Sequence, residues 1–213
     1  MRVNILKSAF SNWISVAAAL DTIGVRVKPI DSTEAFEIDR GSVLVIPGVG
    51  HMQGLLSELS ATGGIYRLTS FIEERDIAVL GICLGFQLMC EFSEENSQEK
   101  GLGLFPLGVE KIFDCGRPSV GWFQPNFGVG EQFETVTGGV VSQQFYFTHS
   151  YAALSCTGES NGDFDTCYYR TENDRQVVAA AVGDRKIGLQ FHPEKSGSAG
   201  KRVLDSCIAH LSG

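Results

Sequence analysis

Cys83 is the residue whose setting points most directly to covalent chemistry. In Val79-Leu80-Gly81-Ile82-Cys83-Leu84-Gly85-Phe86-Gln87 an apolar run ends and helical spacing starts at once. Glycines stand two residues before the cysteine and two after it. That is the pattern of a nucleophile elbow, with a thiol in place of the usual hydroxyl. The turn is sharp, so side chains at its flanks must be small. The helix it opens points unpaired N–H groups at Cys83, which favours thiolate over thiol. The N–H of Leu84 falls where an oxyanion would form. A buried structural cysteine is the plainer alternative. The other cysteines, at 90, 115, 156, 167 and 207, lack such a setting and are read that way.

A nucleophile of this kind needs a base and a group that orients the base. Of His51, His149, His192 and His210, the last falls in a helical pattern that would put it on the surface. His192 closes the apolar run Ile187-Gly188-Leu189-Gln190-Phe191 and precedes Pro193-Glu194. It therefore stands at a strand end, where the sites of α/β proteins lie. Pro193 biases it to extended backbone, and Glu194 is placed to hold the imidazole's tautomer. Alone, His-Pro-Glu is a weak signal. Beside the elbow it completes a Cys-His-Glu triad, whose order along the chain is not restricted by geometry. Val45-Ile46-Pro47-Gly48-Val49-Gly50 is a buried run opening into a glycine-rich turn. Gly48, Val49 and Gly50 are flexible enough to turn an N–H toward the site as a second oxyanion donor. An ordinary tight turn fits the same residues. A phosphate loop does not, since no G-K-[ST] follows.

The elements around these residues alternate. Val3–Leu6, Val25–Ile30, Ser42–Ile46 and Ile77–Ile82 are short apolar runs, and the segments 12–20 and 65–72 carry apolar residues at helical spacing. Strands apolar on both faces and separated by helices predict a parallel sheet covered on both sides. From Gly101 to Gly130 the chain is rich in Gly, Phe and Pro and poor in helical period. Closely spaced β-type runs follow at Gln144–Thr148, Cys167–Thr171, Val177–Val182 and Ile187–Phe191, then a helix from about Ser198 to Leu211. The predicted fold class is α/β, with a mostly parallel central sheet and an antiparallel extension. No repeat, linker or block of like charge divides the chain, so residues 1–213 are expected to form one domain.

Composition narrows the function. Hydrophobic residues make up 43% and charged residues 20% of the 213, which is globular. With 17 Lys+Arg against 25 Asp+Glu the net charge is −8, which argues against nucleic acid as a partner. No apolar run is long enough to span a bilayer. The opening Met1-Arg2-Val3-Asn4-Ile5-Leu6 reads as a strand rather than a signal peptide. Six cysteines then imply reduced thiols and a cytoplasmic setting. No two form C-x-x-C, which argues against structural zinc.

Together the segments G-I-C-L-G-F-Q at 81–87 and F-H-P-E at 191–194 resemble the two principal motifs of the class I (triad-type) glutamine amidotransferases. Further stretches match in detail: P-G-V-G at 47–50, F-S-E-E at 92–95, G-L-G-L-F-P-L-G-V at 101–109, Y-F-T-H-S-Y at 146–151 and G-L-Q-F-H-P-E-K-S-G at 188–197. They resemble the glutaminase subunits (HisH) of imidazole glycerol phosphate synthases, over nearly the whole chain. The resemblance implies a flavodoxin-like α/β fold with Cys83 as nucleophile, His192 as general base and acid, and Glu194 as its partner. It places Gln87, Glu95, Ser150 and Tyr151 on the glutamine substrate, with Glu95 receiving the ammonium and the Ser150-Tyr151 segment the carboxylate. It assigns the oxyanion to Gly48, Val49, Gly50 and Leu84, and turns Asn12, Trp122 and Lys195 toward a partner subunit. That partner is a (β/α)8 cyclase of the HisF kind, joined as a heterodimer. The ammonia released from glutamine would pass to it to make imidazole glycerol phosphate and an aminoimidazole carboxamide ribotide in histidine biosynthesis. No metal or organic cofactor is implied.

Two segments depart from the family pattern. Where it opens D-Y-G-x-G-N, this chain has Leu6-Lys7-Ser8-Ala9-Phe10-Ser11-Asn12; where it has V-P-H-x-G-W-N, this chain has Arg117-Pro118-Ser119-Val120-Gly121-Trp122-Phe123. Both lie toward the synthase in the family. Three other readings therefore stand beside the first: a paralogous glutaminase feeding a surface-sugar synthase that builds an amidino group, a stand-alone Cys-elbow hydrolase, and a non-catalytic binding subunit.

Overall fold

Val3–Leu6 (β1), Val43–Gly48 (β3) and Ala78–Cys83 (β4) are buried at every position, as strands covered on both faces must be. The computed structural model describes residues 2–61, 63–96, 100–112, 118–127, 133, 136, 137, 139, 140, 142–154, 164–171 and 174–213. Cys115, Cys156 and Arg117 lie outside them. The other strands are Val27–Ile30 (β2), Cys90–Ser93 (β5), Phe105–Lys111 (β6), Ser119–Phe123 (β7), Phe145–His149 (β8), Tyr151–Ala153 (β9), Phe164–Arg170 (β10), Gln176–Gly183 (β11) and Lys186–Leu189 (β12). The helices are Trp13–Asp21 (α1), Met52–Ser60 (α2), Gly64–Glu74 (α3), Leu84–Met89 (α4) and Gly197–Ser212 (α5).

Seven strands form the main sheet in the order β10-β11-β12-β4-β3-β1-β2. The pairs from β12 to β2 are parallel, and those from β10 to β12 are antiparallel. This is the expected flavodoxin-like arrangement with its antiparallel extension. Alternate residues serve opposite faces. Ile5, Val45, Leu80 and Ile82 pack on one side with α1 and α5; Leu6, Leu44, Ile46 and Val79 pack on the other with α2, α3 and α4.

Two smaller sheets, β5-β6-β9 and β7-β8, complete the fold. β8 falls on the expected run Gln144–Thr148, whereas β6 and β7 lie in 101–130, where the sequence pattern shows no strand. β6 alternates correctly, with Phe105, Leu107 and Val109 buried, but Pro106 and Gly108 interrupt the β-type residues. The helix α2 was also unexpected, although Met52, Leu55, Leu56 and Leu59 share one buried face. β3 runs through Pro47-Gly48 rather than stopping before them, because Pro47 and Gly48 still pair with Ile82 and Cys83. Among the described residues no helix is long and apolar enough to cross a membrane.

Candidate active site

Register fixes what surrounds Cys83. On one side β3 places Gly48 directly opposite it. On the other, Leu189 of β12 pairs with Ile82, so the segment after β12 runs past the cysteine. Cys83 itself has φ 52 and ψ −106, a strained backbone for any residue with a side chain. Two glycines make the turn possible. A Cβ at Gly85 would run into the Ile46 carbonyl oxygen, and one at Gly81 would lie 2.5 Å from Met89 Sδ and 2.7 Å from the Phe86 nitrogen. Six-residue α4 starts at Leu84, whose N–H has no intrahelical acceptor.

His192 is held by its backbone before its ring is considered. Its N–H donates to the Tyr146 carbonyl at 2.8 Å, and its carbonyl accepts from Ser196 Oγ at 2.6 Å. The ring's Nδ1 donates to Glu194 Oε1 at 2.8 Å, with both side chains fully buried. Its Nε2 makes no conventional hydrogen bond, yet Cys83 is the residue acting on the ring most strongly. The ring thus lies near the sulfur without being aligned on it, as catalytic pairs often do without substrate. Burial alone would lower the imidazole's pKa. Cys83 close beside the ring, then the Glu194 bond and charge, outweigh burial and raise it to about 10.

Asn12 stands at the N-cap of α1 but makes no capping bond. Instead its Nδ2 donates to Glu194 Oε1 at 2.7 Å, the oxygen that His192 also uses. A residue expected at the partner surface therefore reaches into the triad, at the expense of a helix cap that is typically worth ~1 kcal/mol. The cleft above Cys83 holds about 490 Å³, and Asn12, Val49, Gly50, Leu84, Gln87, Glu95, Ser150, Tyr151 and Lys195 all line it. Gly48 lies just below, close to Leu84. Trp122 does not line it; the indole is 51% exposed on β7, edge-on to Tyr146. The Val49 N–H donates to the Phe10 carbonyl at 3.2 Å. That N–H is thus engaged away from the site here, while the Leu84 N–H, the other donor expected from sequence, has no acceptor within its helix.

Other polar groups at the site were not singled out from the sequence. His149 is buried; its Nδ1 faces the Tyr151 carbonyl at 3.0 Å and its Nε2 the Tyr169 hydroxyl at 2.7 Å. A carbonyl only accepts, so Nδ1 carries the proton and Nε2 accepts from Tyr169. Burial, above all, lowers His149 to about 3, so it stays neutral. Burial likewise pushes Tyr169 well up. His51 lies 3.4 Å from Glu95 at the cleft's mouth. Gln190 Nε2 is 3.6 Å from Cys83 Sγ. Its signal was in the sequence, because a polar residue inside an apolar run must find partners when buried. Among the described residues no group of three or more His, Cys, Asp or Glu side chains is gathered to hold a metal.

An elbow thiol beside an imidazole at the carboxyl edge of a parallel sheet is the arrangement of α/β enzymes that cleave acyl bonds through a thioester. Sequence comparison is narrower: the family profile described as Glutamine amidotransferase class-I matches residues 4–211. The chain belongs to the class I glutamine amidotransferase family. It is 34% identical to the imidazole glycerol phosphate synthase subunit HisH of Geobacillus kaustophilus over 222 aligned residues, covering 99% of this chain and 98% of that one. With the HisH subunit of Leifsonia xyli subsp. xyli it shares 38% over 207, or 94% of each chain. Against the chloroplastic imidazole glycerol phosphate synthase hisHF of Arabidopsis thaliana it shares 33% over 207 residues, which is 95% of this chain and 33% of that protein. A solved structure described as a glutamine amidotransferase has the same fold, with TM-score 0.70 at 15% identity and both chains fully covered.

Proposed function

We propose that this chain acts as one glutaminase domain, hydrolysing glutamine to glutamate and ammonia for a cyclase partner that makes imidazole glycerol phosphate in histidine biosynthesis. The observation that carries the reading is the buried His192–Glu194 pair beside an elbow thiol, under a cleft lined by Gln87 and Glu95. Glu95 takes the substrate's ammonium and the Ser150-Tyr151 segment its carboxylate. The Cys83 thiolate attacks the side-chain carboxamide, and the oxyanion forms against the Leu84 N–H. Imidazolium His192 gives its proton to the departing nitrogen, and ammonia leaves a thioester. Neutral His192 then takes a proton from water as its oxygen attacks the thioester. Collapse of that intermediate expels the thiolate and releases glutamate. Reduced, buried thiols suit a cytoplasmic setting.

The second donor is the regulated part of this reading. The Val49 N–H is held on the Phe10 carbonyl in a segment that departs from the family pattern. A missing oxyanion donor costs about 10²–10³ in rate, so a partner that turns this peptide inward would switch hydrolysis on. Two relatives are named as subunits of a synthase, and the hisHF relative is about three times this chain's matched length. Steady-state glutamate release is the test, measured on the isolated chain, with a HisF cyclase, and with cyclase plus its acceptor nucleotide. A strong rise on adding both is expected. Full-rate release by the isolated chain would make it a stand-alone hydrolase, and no release under any condition would end the glutaminase reading.

A further inference from the structure

Gln190 follows β12 directly and sits beside Cys83 because Leu189 pairs with Ile82. It is completely buried. Its backbone N–H is taken by the Ala179 carbonyl at 2.9 Å, which pins the residue between β11 and β4. The side chain bridges two groups: Nε2 lies 3.6 Å from Cys83 Sγ, and Oε1 accepts from Gln87 Nε2 at 3.2 Å.

The direction of this bridge is set from its far end. Gln87 Nε2 also donates to the Tyr151 carbonyl at 2.6 Å. A backbone carbonyl can only accept, so the nitrogen end of the Gln87 amide must face it. The second hydrogen on that nitrogen then meets an oxygen, which is Gln190 Oε1. Gln190 is left presenting N–H, not C=O, to the sulfur. Inverting Gln190 would set two donors against each other in a buried site, at a cost that such sites do not sustain.

We propose that Gln190 is a thiolate-binding residue: its Nε2–H stabilises negative charge on Cys83 Sγ, and Gln87 holds it in the donor orientation. The proposal deepens the reading of Cys83 as nucleophile and rests on it. On its other side the sulfur meets the Thr148 carbonyl at 3.9 Å, an acceptor that only the neutral thiol can engage, so a donor is needed for the anion. His192 after β12 supplies a positive charge, with Glu194 behind it. His149 of β8 is neutral, and Tyr169 of β10 lies close enough to feel the sulfur's charge. The residues of β3 and α4 carry no titratable side chain. Gln190 is thus the neutral donor that complements a single cation. It acts whenever the sulfur is anionic, before attack and again as the thioester collapses. By the same chain, Gln87 reaches the sulfur's charge without touching it.

The test is alkylation of Cys83 by iodoacetamide across pH on the intact isolated chain, with fragment-ion mass spectrometry separating Cys83 from Cys90. In Gln190→Met, which keeps length and removes the donor, the profile should move to higher pH by about one unit, and alkylation at neutral pH should slow about tenfold. Gln87→Met, which leaves Gln190 in place but unoriented, should move it the same way and less. An unmoved profile in Gln190→Met overturns the proposal, as does a uniformly slower one with the same midpoint, which would mean altered access. Should Gln190→Met fail to fold, Gln87→Met carries the test by the same criteria. Failure of the glutaminase reading would show separately, as wild-type chain that releases no glutamate while the alkylation shift persists.

Discussion

The floor of the cleft and its rim are built differently. On the floor, Cys83, Gln190 and His192 are buried with backbones pinned by strand pairing or by short hydrogen bonds, and the buried Glu194 side chain is held by His192 and Asn12. At the rim, His51 is 85% exposed, Lys195 reaches over the Tyr146 ring, and the Val49 peptide hangs on a single loop carbonyl. The difference teaches where reactivity and control are separated. Floor groups have one arrangement available, so their charges act in a low-dielectric site without reorganisation. Rim groups are exposed and held by fewer contacts, so a partner or substrate has less to undo in moving them.

The comparison breaks first at the nucleophile. Cys83→Ala should reduce glutamine hydrolysis by at least about 10⁴-fold, while synthesis from ammonium salts by the complex persists; loss of both would mean that assembly, not chemistry, was damaged. The same variant should lower the His192 titration seen by NMR, because burial is then opposed by Glu194 alone. A position that stays near 10 would remove the sulfur as the cause. Next in size is Gly85→Ala, which presses a methyl group on the Ile46 carbonyl and should cost ~3 kcal/mol of unfolding free energy in denaturant titrations. An unchanged midpoint would mean that the elbow yields.

Smaller effects sharpen the boundary. Glu194→Gln should lower turnover about 10²-fold, far less than loss of Cys83; equal losses would give Glu194 a direct chemical role. His149 tilts stability with pH. Its folded value of about 3 lies below the ordinary 6.5, so its contribution is full above about 6.5 and fades as pH falls toward about 3. Denaturation midpoints for wild type and His149→Asn should therefore converge on the acid side, and parallel curves would count against a neutral buried ring. Smallest is Trp122→Ala on the rim. It should leave stability within about 0.5 kcal/mol and basal hydrolysis unchanged, and weaken cyclase binding in calorimetry. Unaltered binding would move the partner surface elsewhere.

The floor was legible in the sequence to the extent that it is local. Gly81, Cys83 and Gly85 lie within five residues, and His192 and Glu194 within three, so spacing alone exposes them. The bond from Asn12 to Glu194 spans 182 positions and opposes a local signal, since asparagine before a helix reads as a cap. Gln190 lay inside a run predicted as strand, and only the register of β12 on β4 brings it to the sulfur. The strands β6 and β7 were missed because Pro106, Gly108 and Gly121 mask their alternation. Tertiary pairing overrides those residues' poor strand propensity.

The place of β12 beside β4 also governs how the molecule can be made. Cys83 and Gln190 are 107 residues apart, so β4 must wait for a partner synthesised much later. Until β12 arrives, β4 presents an apolar edge with its ladder hydrogen bonds unmade, the state in which nascent chains aggregate or recruit chaperones. His192 and Glu194 follow β12 within a few residues, so base and orienter arrive with the strand that closes the sheet. A chain that ends before β12 carries the thiol without the base and the group that orients it.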